Sequence, residues 1–273
     1  MPSEAIDGYI LGRDVAHSVR LDAQHFLWRL HQGYLLHPHI KLTERMSVAD
    51  IGTGTGRRLW LLDLAREVPS SVTLHGYDIS DKQFPPSQML PQNVSLKQLD
   101  SLGDVPTELQ GRYDVVHLRM WANNLSSKEV GSFICNLSKM LKPGGYIQWE
   151  DADLCNHVIR TKQVEEFDQQ MKELFKLAGR DYSWIQTLPC SLQRHEFKII
   201  DHRNASFADD LVHLCTNTYL TAIGEMIEGI KRTASGPLCS TIQKAESSLS
   251  LLLSQNNGAA YNWRPFSTLA QRS

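Results

Sequence analysis

The 273-residue sequence has no apolar run near the roughly 18 to 20 residues that cross a bilayer. Its opening, "MPSEAIDGYILGRD", is acidic and polar and lacks the apolar centre of a secretory signal. Cysteines are few: Cys135, Cys155, Cys190, Cys215 and Cys239, none closer than 20 residues to the next. That spacing excludes CxxC metal or redox pairs, and the odd count argues against a disulfide framework. A dominant charge is missing too. Lys and Arg number 28 against 30 Asp and Glu, for a formal net charge of -2. With no basic stripe, nucleic acid is not an expected partner. There is no internal repeat and no low-complexity tract. These absences leave a cytosolic, cytoplasmic globular chain with no membrane segment as the expectation.

What is present is ordinary in bulk, with 41% hydrophobic and 21% charged residues. The order of the patterns is more informative. Residues 15–36 read as a helix, with Val19, Ala23, Phe26, Leu27, Leu30 and Tyr34 on one apolar face and Gly33 and Pro38 ending it. Gln24 and Trp28, with His25 beside them, fall on a different face. Then strand and helix alternate. "SVADIG" is a strand, "RRLWLLDLAREV" a helix, and "VTLHGYDIS" a second strand. "KQFPPSQMLPQN" shortens or replaces a helix, and "VSLKQLD" and "YDVVHLRMW" are strands. "SSKEVGSFICNLSKML" is a helix with Ser126 as its cap, stopped by "KPGG", and "YIQWED" is a fifth strand. Such spacing predicts parallel βαβ units in a sheet covered on both faces. The second half predicts helices near 163–178, 208–232 and 238–255, with strands in "EFKIIDHRNASF" and "FSTLAQ".

The loop "SVADIGTGTGRRLW" carries the first chemical signal. Ligands of open parallel sheets bind beyond the carboxyl ends of the strands. A dinucleotide site needs G-x-G-x-x-G. Here the glycines are Gly52, Gly54 and Gly56, and Arg57 stands where the third glycine of that pattern belongs. A nicotinamide-dependent reductase is therefore disfavoured. What remains, acidic-x-G-x-G-x-G led by Asp50, resembles the first motif of the class I S-adenosylmethionine-dependent methyltransferases. Asp78 in "HGYDIS" and Asp100 in "LKQLDSL" supply carboxylates after the second and third strands. "YDVVHLRMWANNL" and "LSKMLKPGGYIQWED" continue the likeness through residue 151. The segment "GYILGRDVAHSVRLDAQHFLWRLHQGYLLHPHI" is similar to the leading part of fungal methyltransferases of secondary metabolism.

The resemblance implies a Rossmann-like α/β fold. It would have a seven-stranded, mostly parallel sheet with an antiparallel last strand, helices on both faces, and helical caps at either end. It implies a single domain over 1–273: a cap over 1–40, a cofactor core over 41–155, and a C-terminal half over 156–273. The implied cofactor is S-adenosyl-L-methionine (SAM), held by Asp50, Gly52, Thr53, Gly54, Gly56, Asp78, Ile79, Asp100, Ser101 and Arg119. Asp50 would hold the methionine amino end, Asp78 the ribose hydroxyls, and Asp100 the adenine amino group. Arg119 departs from the small or amide residue common there. It would reach the cofactor carboxylate or an acidic substrate group, or pair with Asp151.

Methyl transfer asks mainly for in-line positioning, with proton removal in some cases. Asp151 and Asp153 close the fifth strand beside Glu150. Glu150 reads as a base or substrate anchor, or else as a cap or salt-bridge partner, and His25 reads as a base or else as a solvated helix histidine. Trp28, Trp121 and Trp149 would line a small-molecule substrate or else be core aromatics, while His117 reads as a hydrogen-bonded core histidine. A magnesium site of the catechol type is disfavoured, because Arg119 stands where the metal's carboxylate ligand would be. The expected activity is methyl transfer to oxygen or nitrogen of a small natural product. The alternative is a SAM-binding protein of this fold that rearranges or cyclises a substrate, or regulates a partner.

Overall fold

The computed structural model describes residues 15–82, 84–232, 234–254 and 261–273. Residues 8–14 of the leading fungal-type segment lie outside them. The chain runs α1 (Val15–Gln32), β1 (Ser47–Ile51), α2 (Gly54–Glu67), β2 (Thr73–Asp78), β3 (Val94–Gln98) and β4 (Tyr113–Arg119). It continues through α3 (Val130–Met140), β5 (Leu141–Ile159), α4 (Lys162–Leu177), α5 (Leu188–Arg194), β6 (Phe197–Asn204), α6 (Val212–Lys231), α7 (Pro237–Ser254) and β7 (Tyr261–Arg272). The strand order is β3-β2-β1-β4-β5-β7-β6. All pairings through β5 are parallel, and β7 runs antiparallel to both β5 and β6. This is the seven-stranded, mostly parallel sheet with an antiparallel last strand that the resemblance implied.

Alternation along the buried strands assigns each face its core. Val48 and Val115 pack with Trp60, Leu61 and Leu64 of α2 on one side. Ala49, Ile51, Val116, Leu118 and Trp149 meet Phe133, Ile134 and Leu137 of α3 on the other. No helix among the described residues is long and apolar enough to cross a membrane.

Four local expectations change. The α2 helix starts at Gly54 rather than Arg57, so Gly54 and Gly56 belong to its first turn. The α3 helix starts at Val130. Ser126 instead opens the preceding turn, where its amide and hydroxyl both donate to Glu129 Oε2, at 2.8 and 2.7 Å. The fifth strand is far longer than "YIQWED". "KPGG" forms a bulge in it, because Gly144 takes φ +76° and the register jumps between Tyr113 and Val115 of β4.

The largest change concerns α1. Val19, Phe26 and Leu30, expected on its buried face, are 62%, 57% and 62% exposed. The inward face carries Arg20, Gln24, His25, Leu27 and Trp28, all 6% exposed or less. Distant partners make that possible. Arg20 binds Glu225 of α6 through both Nε and Nη2, at 2.5 and 2.8 Å. His25 Nε2 lies 3.3 Å from Asp63 of α2, and Arg29 pairs with Glu67 of the same helix. The α1 helix is thus bound between α2 and α6 through its polar side chains.

Candidate active site

The carboxyl ends of β1, β2 and β3 lie side by side, and their loops carry the marked acids. Gly52 and Gly54 take φ +73° and +38°, conformations that side chains disfavour. The amides of Gly52 and Thr53 both donate to the Tyr77 carbonyl, at 2.7 and 2.8 Å, which folds the loop over the end of β2. Asp78 braces it from the far side. Its Oδ2 accepts the Gly54 amide at 2.8 Å and its Oδ1 the Ser80 amide at 3.1 Å. Ile79, next along, is 47% exposed. Asp100 is exposed and accepts the Leu102 amide at 3.0 Å. The Ser101 carbonyl accepts from Asn136 Nδ2 at 3.3 Å.

Behind the loop, register sets Asp50 beside His117 and Arg119 beside Glu150, all on the face covered by α1 and α2. Their side chains join into one buried chain. His117 Nδ1 is 2.7 Å from Asp50 Oδ1, and its Nε2 is 3.4 Å from Glu150 Oε2. Arg119 donates to the same Glu150 oxygen through Nε at 2.7 Å and Nη2 at 2.5 Å. Gln148 Nε2 donates to Glu150 Oε1 at 2.7 Å. Arg119 Nη1 then reaches His25 Nδ1 at 3.2 Å, which continues to Asp63. Arg119 has only donors, so His25 Nδ1 accepts and its proton sits on Nε2.

Electrostatics follow from this geometry. Burial pushes the Glu150 carboxyl up, but the Arg119 charge and the His117 hydrogen bond outweigh it and hold the group at about 2. His25 is lowered to about 4 by burial and by Arg119, against the opposing pull of Asp63. Glu150 and His25, the candidates for proton transfer, are therefore a sealed carboxylate and a sealed neutral imidazole. Arg119 pairs with Glu150 and not with Asp151, because successive strand residues point to opposite faces. Asp151 looks the other way. It accepts the amides of Trp121 (2.8 Å), Ala122 (3.2 Å) and Ala152 (2.9 Å), and the Trp149 indole (3.1 Å). Burial raises it to about 6 against those four bonds.

The three tryptophans marked as substrate-lining are packed in the core. Trp28 and Trp149 are 0% exposed and Trp121 5%. Trp28 lies under the Arg119 guanidinium, 5.6 Å from it, and beside Trp263 at 5.7 Å. Trp121 stacks on Phe133 at 4.4 Å and donates to the Ile51 carbonyl at 3.0 Å.

A cavity of about 210 Å³ lies at the end of β6, against the bulged stretch of β5 and the middle of β7, lined by Asp153, Asn156, Ile185, Gln186, His202, Asn204 and Phe266. Asp153 is 1% exposed and accepts the Cys155 and Asn156 amides at 2.9 and 3.1 Å and Asn156 Nδ2 at 2.9 Å. These bonds hold the bulge that separates Asp153 from Val158 in the β5–β7 register. Apart from Asp153, none of the lining residues was marked in the sequence. Short polar residues on three separate elements give no local signal. Nor did the sequence mark Gln148 or Asp63, whose partners lie on other strands and helices.

Residues 19–216 match the methyltransferase-domain family. Among similar proteins is methyltransferase grgD of Penicillium sp, 34% identical over 160 residues, covering 56% of this chain and 54% of that protein. N-methyltransferase tcpN of Claviceps purpurea is 33% identical over 151 residues, covering 55% of this chain and 53% of that protein. The chain thus spans about half the length of the relatives it matches. Among solved structures, Haemonchus contortus phosphoethanolamine N-methyltransferase 2 aligns with a TM-score of 0.55 at 13% identity, covering 93% of this chain and 57% of that one. The YcgJ protein of Bacillus subtilis aligns at 0.50 and 14% identity, covering 91% and 98%. Both likenesses concern the fold.

Proposed function

The chain belongs to the methyltransferase-domain family, and from that premise we propose that it transfers the methyl group of SAM to a small natural product. One observation carries the reading. Beneath the glycine loop, Asp50 Oδ2 and Thr53 Oγ1 are buried without a hydrogen-bond partner among the described residues. An unsatisfied buried carboxylate oxygen is costly, and a cationic donor such as the α-ammonium of SAM would satisfy it. The other residues fit the same molecule. Asp78 would take the ribose hydroxyls, Ile79 a face of the adenine, and Asp100 with Ser101 its edge. Gly52, Gly54 and Gly56 keep side chains away from it. When bound, the sulfonium supplies an activated methyl group, so the protein's task is to align an acceptor and exclude water.

Nitrogen is the favoured acceptor atom. The Claviceps relative is named an N-methyltransferase, and the Asp153 carboxylate at the cavity would accept an N–H of a neutral amine beside its bonds to Cys155 and Asn156. A neutral amine would attack the methyl carbon with its own lone pair as the C–S bond breaks to leave S-adenosylhomocysteine. The methylated ammonium would lose its proton to solvent after release. Glu150 and His25 then need not act as bases, which accords with their sealed positions. Incubation with SAM and a panel of small amines, with phenols for comparison, should release S-adenosylhomocysteine with an amine. Phenols alone as acceptors would overturn the choice of nitrogen. Tight SAM binding with no S-adenosylhomocysteine from any acceptor would favour a protein of this fold that no longer transfers methyl.

A further inference from the structure

His117 has no part in the chemistry above, yet its surroundings fix it more completely than packing alone requires. Its ring lies flat on Trp60, with centroids 3.7 Å apart and planes 1° from parallel. One edge meets Asp50 Oδ1 at 2.7 Å and the other Glu150 Oε2 at 3.4 Å. Glu150 is itself held by Arg119 and Gln148. The imidazole can therefore neither tilt nor turn. The two oxygens of Asp50 are used unequally as a result. Oδ1 is taken by the ring, and Oδ2 is the buried atom without a partner.

We infer that His117 is a positioning residue for the amino-acid end of the cofactor: it holds Asp50 by Oδ1 so that Oδ2 faces the α-ammonium. This rests on the SAM reading above. A carboxylate anchored by one oxygen is preorganised and does not have to be reoriented when the ligand arrives. The anchor extends outward through Glu150, Arg119 and His25 to α1, so the N-terminal helix and the cofactor acid belong to one rigid polar chain.

A purely structural histidine would affect every ligand of the loop alike, whereas this role concerns only the amino-acid end. Calorimetric titration with SAM and with 5′-methylthioadenosine separates the two, since the second ligand lacks that end. His117→Phe keeps the stack on Trp60 and loses the donor. It should weaken SAM binding about tenfold, the scale of one charge-assisted hydrogen bond, and leave methylthioadenosine affinity unchanged. His117→Asn, whose amide nitrogen falls near the place of Nδ1, should restore most of the loss. Asp50→Asn should give the same selective loss, and His117→Leu, which fills the site without a donor, carries the test if the Phe variant does not fold. Equal weakening of both ligands, or of neither, overturns the inference. Wild-type protein that fails to bind SAM overturns the cofactor reading itself.

Discussion

Replacing Arg119 with methionine tests whether the buried chain is an electrostatic unit. Glu150 is 0% exposed and Arg119 3%, and two guanidinium nitrogens lie 2.7 and 2.5 Å from one carboxylate oxygen. The substitution keeps the aliphatic bulk and removes the charge, leaving a sealed carboxylate with only Gln148 and His117. Losing one partner of a buried ion pair costs about 3 to 5 kcal/mol. The carboxyl's fall from 4.5 to about 2 points to the same scale, about 3 kcal/mol at roughly 1.4 kcal/mol per pKa unit. The pH dependence gives the sharper check. A depressed carboxyl contributes stability that is present above about 4.5 and lost as pH falls toward 2. In the variant burial prevails and raises the group, so stability is lost as pH rises through that raised value. The gap between wild type and variant should be widest at pH 7 and shrink on acidification. It shrinks first as the variant's raised carboxyl takes up its proton, and further below 4.5 as wild type loses its own share. Urea denaturation at both ends of that range measures it. Adding Glu150→Gln should recover much of the loss at pH 7. A gap that does not change with pH, or one below about 1 kcal/mol at neutrality, would refute the electrostatic account.

Asp78→Ala removes the acceptor of the Gly54 and Ser80 amides and should weaken SAM binding by about 1.5 to 3 kcal/mol. Unchanged affinity by calorimetry would place the ribose elsewhere. His25 falls from 6.5 to about 4, so its share of stability is full above 6.5 and lost as pH drops toward 4. His25→Gln, which cannot take up a proton there, should lose less melting temperature than wild type across that interval, and parallel curves would count against it. Phe26→Ser and Leu30→Ser, on the exposed side of α1, should change stability by only about 0.5 kcal/mol. Leu27→Ala on the inner side should cost about 2 to 5 kcal/mol. Similar losses for all three in urea would mean that α1 faces the other way.

The antiparallel last strand was implied only by the family resemblance. The sequence by itself determined the strand-helix alternation, the parallel sheet, and the loops bearing Asp50, Asp78 and Asp100. Those features are written in local periodicity and in glycines a few residues apart, and local backbone preferences reproduce them. Tertiary structure alone decided which side of each element meets which neighbour. Pairing of β4 with β5 joined Arg119 to Glu150 instead of Asp151, since parallel register places opposed residues on one face. It also brought His117 between two carboxylates that are 67 and 33 residues away in the chain. The α1 helix turned Val19, Phe26 and Leu30 outward and kept Leu27 inside, because Glu225, Asp63 and Arg119 satisfy the polar groups it buries. Helical spacing reports where apolar side chains recur. A buried polar face depends on partners supplied from distant parts of the chain, and only the packed molecule brings them together.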